Sequence, residues 1–172
     1  MTTLTNLVTD RGDGLFEDAP TWKVVATLIL SLMGLAVSVY LTYAHFAGVQ
    51  SLSCPGAGSV INCEKVTTSA QSYFLKMPVA VLGLGYYVVY TALNTPWAWR
   101  ASDRRVHLAR LAVAVLGMAF ALYLVSAELL IIGNICLWCT SVHIITFFLF
   151  VLVISTVPAM LGWGVHGATD DA

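Results

Sequence analysis

The sequence predicts an all-α membrane protein: a four-transmembrane-helix bundle with a long outer loop, or lid, between the first two helices. Three observations predict it. Of 172 residues, 59% are hydrophobic and 10% charged, whereas a soluble domain carries roughly 25% charged residues. Four apolar segments are each long enough to cross a bilayer, which takes about 20 residues. The arginines gather in one connection between those segments, the kind of asymmetry that sets membrane orientation. A net charge of −1 gives no electrostatic basis for a nucleic-acid partner, so the lipid bilayer is the expected surrounding.

Residues 1–21 are polar, with Asp10, Asp13, Glu17 and Asp18. They lack the basic-then-apolar order of a cleavable leader and are expected to form an N-terminal tail. The membrane domain is expected over residues 22–162, with a polar C-terminal tail at 163–172. The first apolar segment runs from Lys23 to Phe46 and the second from Met77 to Trp99. The third covers Leu108 to Ile132 and the fourth Cys136 to Leu161. In lipid only helices and closed barrels satisfy the backbone, and unbroken apolar runs favour helices over alternating barrel strands.

Orientation follows from Arg100, Arg104 and Arg105 in the second connection, with Arg110 just inside the third helix. The first connection has only Lys65 and Lys76. The Arg-rich connection and both termini are therefore expected in the cytoplasm, in an inner or plasma membrane. The first loop and the start of the fourth helix then face outward. All four cysteines fall on that side, where disulfides persist.

Helices one and three carry a weak internal echo. Gly34 to His45 and Gly117 to Glu128 both fit G-x-A-x-x-x-Y-L-x-x-A followed by a polar residue. Shared helix-packing chemistry, with small residues allowing close backbone approach, and a duplicated unit are the two readings. The loop between helices one and two opens with the turn-rich S-L-S-C-P-G-A-G-S. Its second half, E-K-V-T-T-S-A-Q-S-Y-F-L-K, is expected to lie as a short amphipathic helix over the bundle mouth.

The chemistry is carried by cysteines. Cys136 and Cys139 form Cys-x-x-Cys at a helix start, where free N–H groups and the helix dipole stabilise a thiolate. Half of a metal site and an inert disulfide are the alternatives. A tetrathiolate zinc site would use a second closely spaced pair. Here Cys54 and Cys63 are separated by eight intervening residues in a glycine-containing loop, which suits a mobile shuttle better. Cys54 and Cys63 by themselves fit a structural loop disulfide equally well.

These features resemble the vitamin K epoxide reductase family. The resemblance rests on C-P-G-A-G-S-V-I-N-C, the following E-K-V-T-T-S, M-P-V-A-V-L-G-L-G-Y-Y, and Y-L-V-S-A-E-L-L-I-I-G-N-I-C-L-W-C. It covers about Trp22 to Pro158. The order, loop pair first and Cys-x-x-Cys at the fourth helix last, differs from that of the other bacterial quinone-coupled disulfide formers. Many bacterial members carry a fused thioredoxin-like domain, so the resemblance implies a separate thioredoxin-like partner outside the cytoplasm.

The resemblance also implies a relay. A reduced partner attacks a Cys54–Cys63 disulfide at Cys54, and freed Cys63 attacks Cys136 of a Cys136–Cys139 disulfide. Cys139 then faces a quinone of the menaquinone or ubiquinone type as electron acceptor. Mixed-disulfide rates depend on thiolate character and access. No metal is expected. Ser69 matches the family's hydroxyl residue near the loop pair and is expected to face the quinone. His143 shares a helix face with Cys139 and stands where the animal enzymes have a tyrosine. Met77 and Pro78 are expected to line the quinone pocket.

Glu128 has two readings. It is a carboxyl able to pass a proton during quinone reduction, or a partner of His45 or a tyrosine between helices one and three. Trp97, Trp99 and Trp138 suit an interfacial aromatic belt. The rival classes are a non-enzymatic tetraspan protein with structural disulfides and a heme or metal protein using His45 and His143.

Overall fold

The computed structural model describes residues 19–48, 51–54, 58 and 60–161. Of the expected tails, residues 1–18 and 163–172 lie outside the described residues, as does Gly162 at the end of the expected membrane domain. The described chain is mostly helical. Helix α1 spans Thr21–Ala47, two residues longer than the apolar segment at its N-terminus and one at its C-terminus. It starts after Pro20, in extended conformation, and stops at Gly48, whose φ of 98° no ordinary side chain adopts comfortably.

The expected amphipathic cover is divided. Helix α2 is only Cys63–Thr67, started by Asn62, whose side-chain oxygen accepts from the Lys65 N–H. A 3-10 turn follows at Ala70–Ser72. Then β1, Tyr73–Phe74, pairs antiparallel with β2, Met77–Pro78. Leu75 and Lys76 form the hairpin tip with φ of 50° and 66°, the left-handed values a two-residue hairpin requires.

The second apolar segment does not run unbroken from Met77 to Trp99. Met77 and Pro78 are extended, helix α3 covers Val79–Leu93, and α4 covers Pro96–Trp99. Pro96 disfavours helix at Thr95; Thr95 is extended and its hydroxyl accepts from the Ala98 N–H instead. Helix α5, Arg104–Ser126, starts at Asp103, whose carboxylate accepts from the Arg105 N–H at 2.9 Å. It continues as a π-helical turn, Ala127–Ile132, stopped by left-handed Gly133. Helix α6 is Leu137–Ile154 and α7 is Val157–Met160. The fourth segment breaks there because Pro158 lacks an N–H and its ring would collide with the Ile154 carbonyl.

Helices α1, α5 with its π turn, and α6 are long and apolar enough to cross a membrane. Helix α3 is a shorter apolar helix. Helix α1 packs mainly on α3 and α6, and α5 on α6 and α3. The faces are reversed relative to a soluble bundle. Ile29, Leu32, Met33, Leu116, Leu122, Phe147 and Phe148 are exposed, whereas Thr27, Ser31, Ser38 and Thr146 are buried. Buried hydroxyls satisfy themselves on their own helices, as Ser31 does on the Leu28 carbonyl at 2.9 Å.

Both echo glycines make close helix contacts. A Cβ at Gly34 would overlap the Tyr87 ring, and one at Gly117 would overlap Tyr86. Adjacent tyrosines of α3 therefore reach opposite neighbours, α1 and α5. Tyr87 is fixed by Thr146 Oγ1 at 2.9 Å and by donation to the Val142 carbonyl.

At the other end of α3, Arg110 is fully buried. Its guanidinium donates twice to the Leu93 carbonyl, at 3.0 and 2.6 Å, and once to His107 Nδ1 at 2.8 Å. It also lies over the Trp99 ring, 3.7 Å from its centre. Because arginine only donates, His107 Nδ1 accepts, and Nε2–H donates to the Ala101 carbonyl. Trp99 is thus buried against Arg110. Trp97 is exposed.

Candidate active site

The site is assembled by one short backbone pairing. Ile61 and Ile135 form a parallel bridge, in which the Asn62 N–H donates to the Ile135 carbonyl and the Ile135 N–H to the Val60 carbonyl. Asn134 reinforces it, donating to the Val60 carbonyl and accepting from Lys65 Nζ at 2.6 Å. Cys63 opens α2 just after this bridge, and Cys136 precedes α6 on the other side. They meet in one buried cluster with Val66, surrounded by Leu52, Cys54, Ile132, Trp138 and Cys139.

All four cysteines are thus brought together. Cys54 and Cys63 are joined by a disulfide, with 5.9 Å between their Cα atoms. Cys136 and Cys139 are free thiols. Cys63 is 1% exposed and Cys136 0%, while Cys54 is half-buried. Among the described residues no group of three His, Cys, Asp or Glu side chains could hold a metal.

Cys136 occupies the position before the first residue of α6. The Cys139 side chain's hydrogen bond holds its thiol below the ordinary range, helped by the backbone N–H groups of Cys139 and Trp138. Burial and the nearby Glu128 oppose that shift. The N–H groups are the free donors of a helix start, which favour a thiolate there.

Glu128 sits on the π turn and is buried. Its carboxyl accepts from the Cys136 backbone N–H. A pair with His45 is not what forms: His45 Nε2 lies 3.4 Å from Tyr73 Oη.

A cavity of about 900 Å³ opens beneath the β1–β2 hairpin, and most of its wall is apolar. Cys139, Glu128, His143, Ser69 and Met77 all line it. Pro78 does not: it is taken up by the hairpin opposite Tyr73. Ser69's hydroxyl donates to the Val66 carbonyl at 2.7 Å, so its proton is already committed. His143 Nδ1 and Tyr86 Oη are buried without a hydrogen-bond partner. Helix packing turns Tyr86 towards the same cavity, and its place in an apolar run gave no sign of this. Phe74 and Phe120, rings 5.4 Å apart, form another part of the wall. His143 also lines a second, apolar groove of about 390 Å³ between α5 and α6, with Met118, Leu122 and Phe147.

Trp138 makes specific contacts with the loop and with helix α1. Its indole N–H donates to the Ser53 carbonyl at 2.6 Å, and its ring lies 4.8 Å from that of Tyr40.

A comparison with known families finds a match to the model described as the Vitamin K epoxide reductase family, over residues 25–154. No curated protein matches the chain.

Proposed function

Because the chain belongs to the vitamin K epoxide reductase family, we propose that it passes electrons from a thioredoxin-like protein to a membrane quinone, through its four cysteines. Family membership and the long apolar helices make it an integral membrane thiol–disulfide oxidoreductase. The observation that carries the finer reading is the buried cluster: a loop disulfide lies against a helix dithiol, and one of those thiols lines a large apolar cavity.

The reaction runs in balanced exchanges. A partner thiolate forms a bond to the Cys54 sulfur, and Cys63 leaves as thiolate. The partner's second thiol then releases Cys54, and the partner departs oxidised. Cys63 attacks Cys136 of the Cys136–Cys139 disulfide, and Cys139 leaves as thiolate. Cys54 restores the Cys54–Cys63 disulfide, leaving Cys136 and Cys139 reduced. Exposure favours Cys54 over Cys63 as the point of attack, since Cys63 is buried. The loop disulfide with the helix dithiol corresponds to this last stage, from which two electrons leave for the quinone.

Within the cavity, Cys139 faces the quinone ring. His143 Nδ1 and Tyr86 Oη, both without partners, can donate or accept at its oxygens. Ser69 and Met77 contribute wall. Pro78 acts through the hairpin fold instead. Glu128, between Cys136 and the cavity, is placed to pass one of the two protons that a reduced quinone takes up. The menaquinone and ubiquinone types both suit an apolar cavity of this size.

The membrane domain is 22–162, crossing four times through α1, α3 with α4, α5 and α6. Helix α3 alone rises only about 22 Å, short of the roughly 30 Å hydrocarbon core. The hairpin and α4 complete that crossing. Both termini are cytoplasmic and the cysteines face outward, as the arginine distribution favours. The polar tails, 1–21 and 163–172, flank the domain.

The test is quinone reduction by the purified protein supplied with a reduced thioredoxin-like donor. Replacing any of the four cysteines should abolish turnover. Replacing Cys54 or Cys139 with Ala should trap a Cys63–Cys136 mixed disulfide. Full turnover without Cys136 or Cys139 would overturn the reading in favour of structural disulfides.

A further inference from the structure

We propose that Tyr40 and Trp138 are positioning residues that hold the backbone ahead of Cys54 closed while Cys136 and Cys139 are thiols. The inference deepens the relay just described and rests on it for its meaning, although its geometry stands apart. Tyr40 Oη donates to the Ser51 carbonyl at 3.2 Å and accepts from the Ser53 N–H at 3.0 Å. Trp138 Nε1 donates to the Ser53 carbonyl. Both main-chain groups of Ser53, the residue before Cys54, are therefore engaged. Their two clamping side chains also pack on each other.

This has a consequence for an incoming protein thiol. Extended segments are commonly recognised through main-chain hydrogen bonds, and Ser53 has neither group free. The partner must break the Tyr40 and Trp138 contacts to use that backbone.

Trp138 ties this clamp to the redox state of the helix pair, because it lies between the two cysteines on the first turn of α6. Forming the Cys136–Cys139 disulfide joins covalently the two sulfurs that flank Trp138, and we infer that the turn carrying the indole shifts with it. Cys54, half-buried in the dithiol form, then becomes more accessible when the helix pair can receive electrons.

The experiment uses the full chain in detergent, with the loop disulfide formed and Cys136 and Cys139 reduced. Glutathione is the probe thiol, and the initial rate of its mixed disulfide with Cys54 is read by peptide mass spectrometry. Trp138→Phe, which loses one hydrogen bond, should raise that rate about three- to tenfold, and Tyr40→Phe, which loses two, at least as much. Alkylation of buried Cys136, followed in parallel, should not change. In wild-type protein oxidised at Cys136–Cys139 with diamide, the Cys54 rate should rise similarly, and Trp138→Phe should add little.

Unchanged Cys54 rates in both variants would overturn the proposal, as would a parallel rise at Cys136, which signals general loosening. Equal wild-type rates in the two redox states would overturn the coupling. If Trp138→Phe misfolds, Tyr40→Phe, on another helix, still decides the clamp. Neither donor protein nor quinone enters these readouts, so a failure of quinone turnover would be separately visible.

Discussion

Ile61 and Ile135 form a single parallel bridge, and that bridge seats Cys63 beside Cys136. Two segments far apart in sequence are joined by two backbone hydrogen bonds, and their cysteines share one buried cluster. The neighbouring side chains then determine how firmly they stay there.

Asn134 is the strongest of those neighbours, bonded to both the Val60 carbonyl and Lys65. Asn134→Ala should loosen the loop without touching a cysteine. In a background lacking Cys54, where freed Cys63 attacks the Cys136–Cys139 disulfide and Cys139 leaves, the yield of the Cys63–Cys136 mixed disulfide should fall about three- to tenfold, on the scale of one lost hydrogen bond. Quantitative thiol trapping on gels measures it, and an undiminished yield would show that the bridge alone suffices.

Cys136 should titrate below the ordinary thiol value of 9.0. A depressed value means more thiolate at neutral pH, so thiolate absorbance should rise and level off at lower pH than for a free cysteine. Cys139→Ala removes the main stabilising hydrogen bond and should move the inflection up. Glu128→Gln removes a neighbouring negative charge and should move it down. Ultraviolet titration of the dithiol form distinguishes the three proteins.

Gly34 and Gly117 should tolerate a methyl group unequally. At Gly34 the added Cβ meets Tyr87, which two hydrogen bonds fix in place. At Gly117 it meets Tyr86, which borders open cavity and can move. Gly34→Ala should therefore cost about 1–3 kcal/mol, the usual range for overpacking, and Gly117→Ala less. Thermal unfolding in detergent compares them. Quinone kinetics should change more in Gly117→Ala, because Tyr86 is displaced into the cavity.

Arg110 should be needed for the end of α3. Arg110→Met leaves the Leu93 carbonyl and His107 Nδ1 without their donor. A loss of about 2–4 kcal/mol is expected for these buried groups. Arg110→Lys should recover only part, since an ammonium cannot serve both acceptors and stack on Trp99. Unfolding midpoints in detergent provide the measurement.

Much of this was legible from composition and periodicity. The long apolar helices follow directly from the uninterrupted runs, and all four cysteines were identified from their spacing. The breaks at Thr95 and after Ile154 were signalled by Pro96 and Pro158, but an apolar average hides such local steric effects. The hairpin at Tyr73–Pro78 was read as helix because its turn uses Leu75 and Lys76, where a sequence reading looks for glycine or asparagine. Tyr86, Tyr40 and Trp138 were hidden for another reason. Trp138 has an adequate interfacial explanation, Tyr86 and Tyr40 sit inside apolar runs, and only tertiary contact shows which of them meets a cavity or a loop. Met77 and Pro78 were expected in the pocket as the opening of the second helix under the lid; both belong instead to the hairpin strand, where Met77 lines the cavity and Pro78 does not.

His143 stands in the wall of both the cavity and the groove between α5 and α6. Ala121 lines both as well, so the groove borders the cavity at these two residues, offering a lipid-borne ligand a route. A ligand entering by that route is dosed by its mole fraction in the bilayer, not by its aqueous concentration. Apparent affinity would then scale with the lipid-to-protein ratio, and a Michaelis constant in molar units would describe the vesicle preparation as much as the protein.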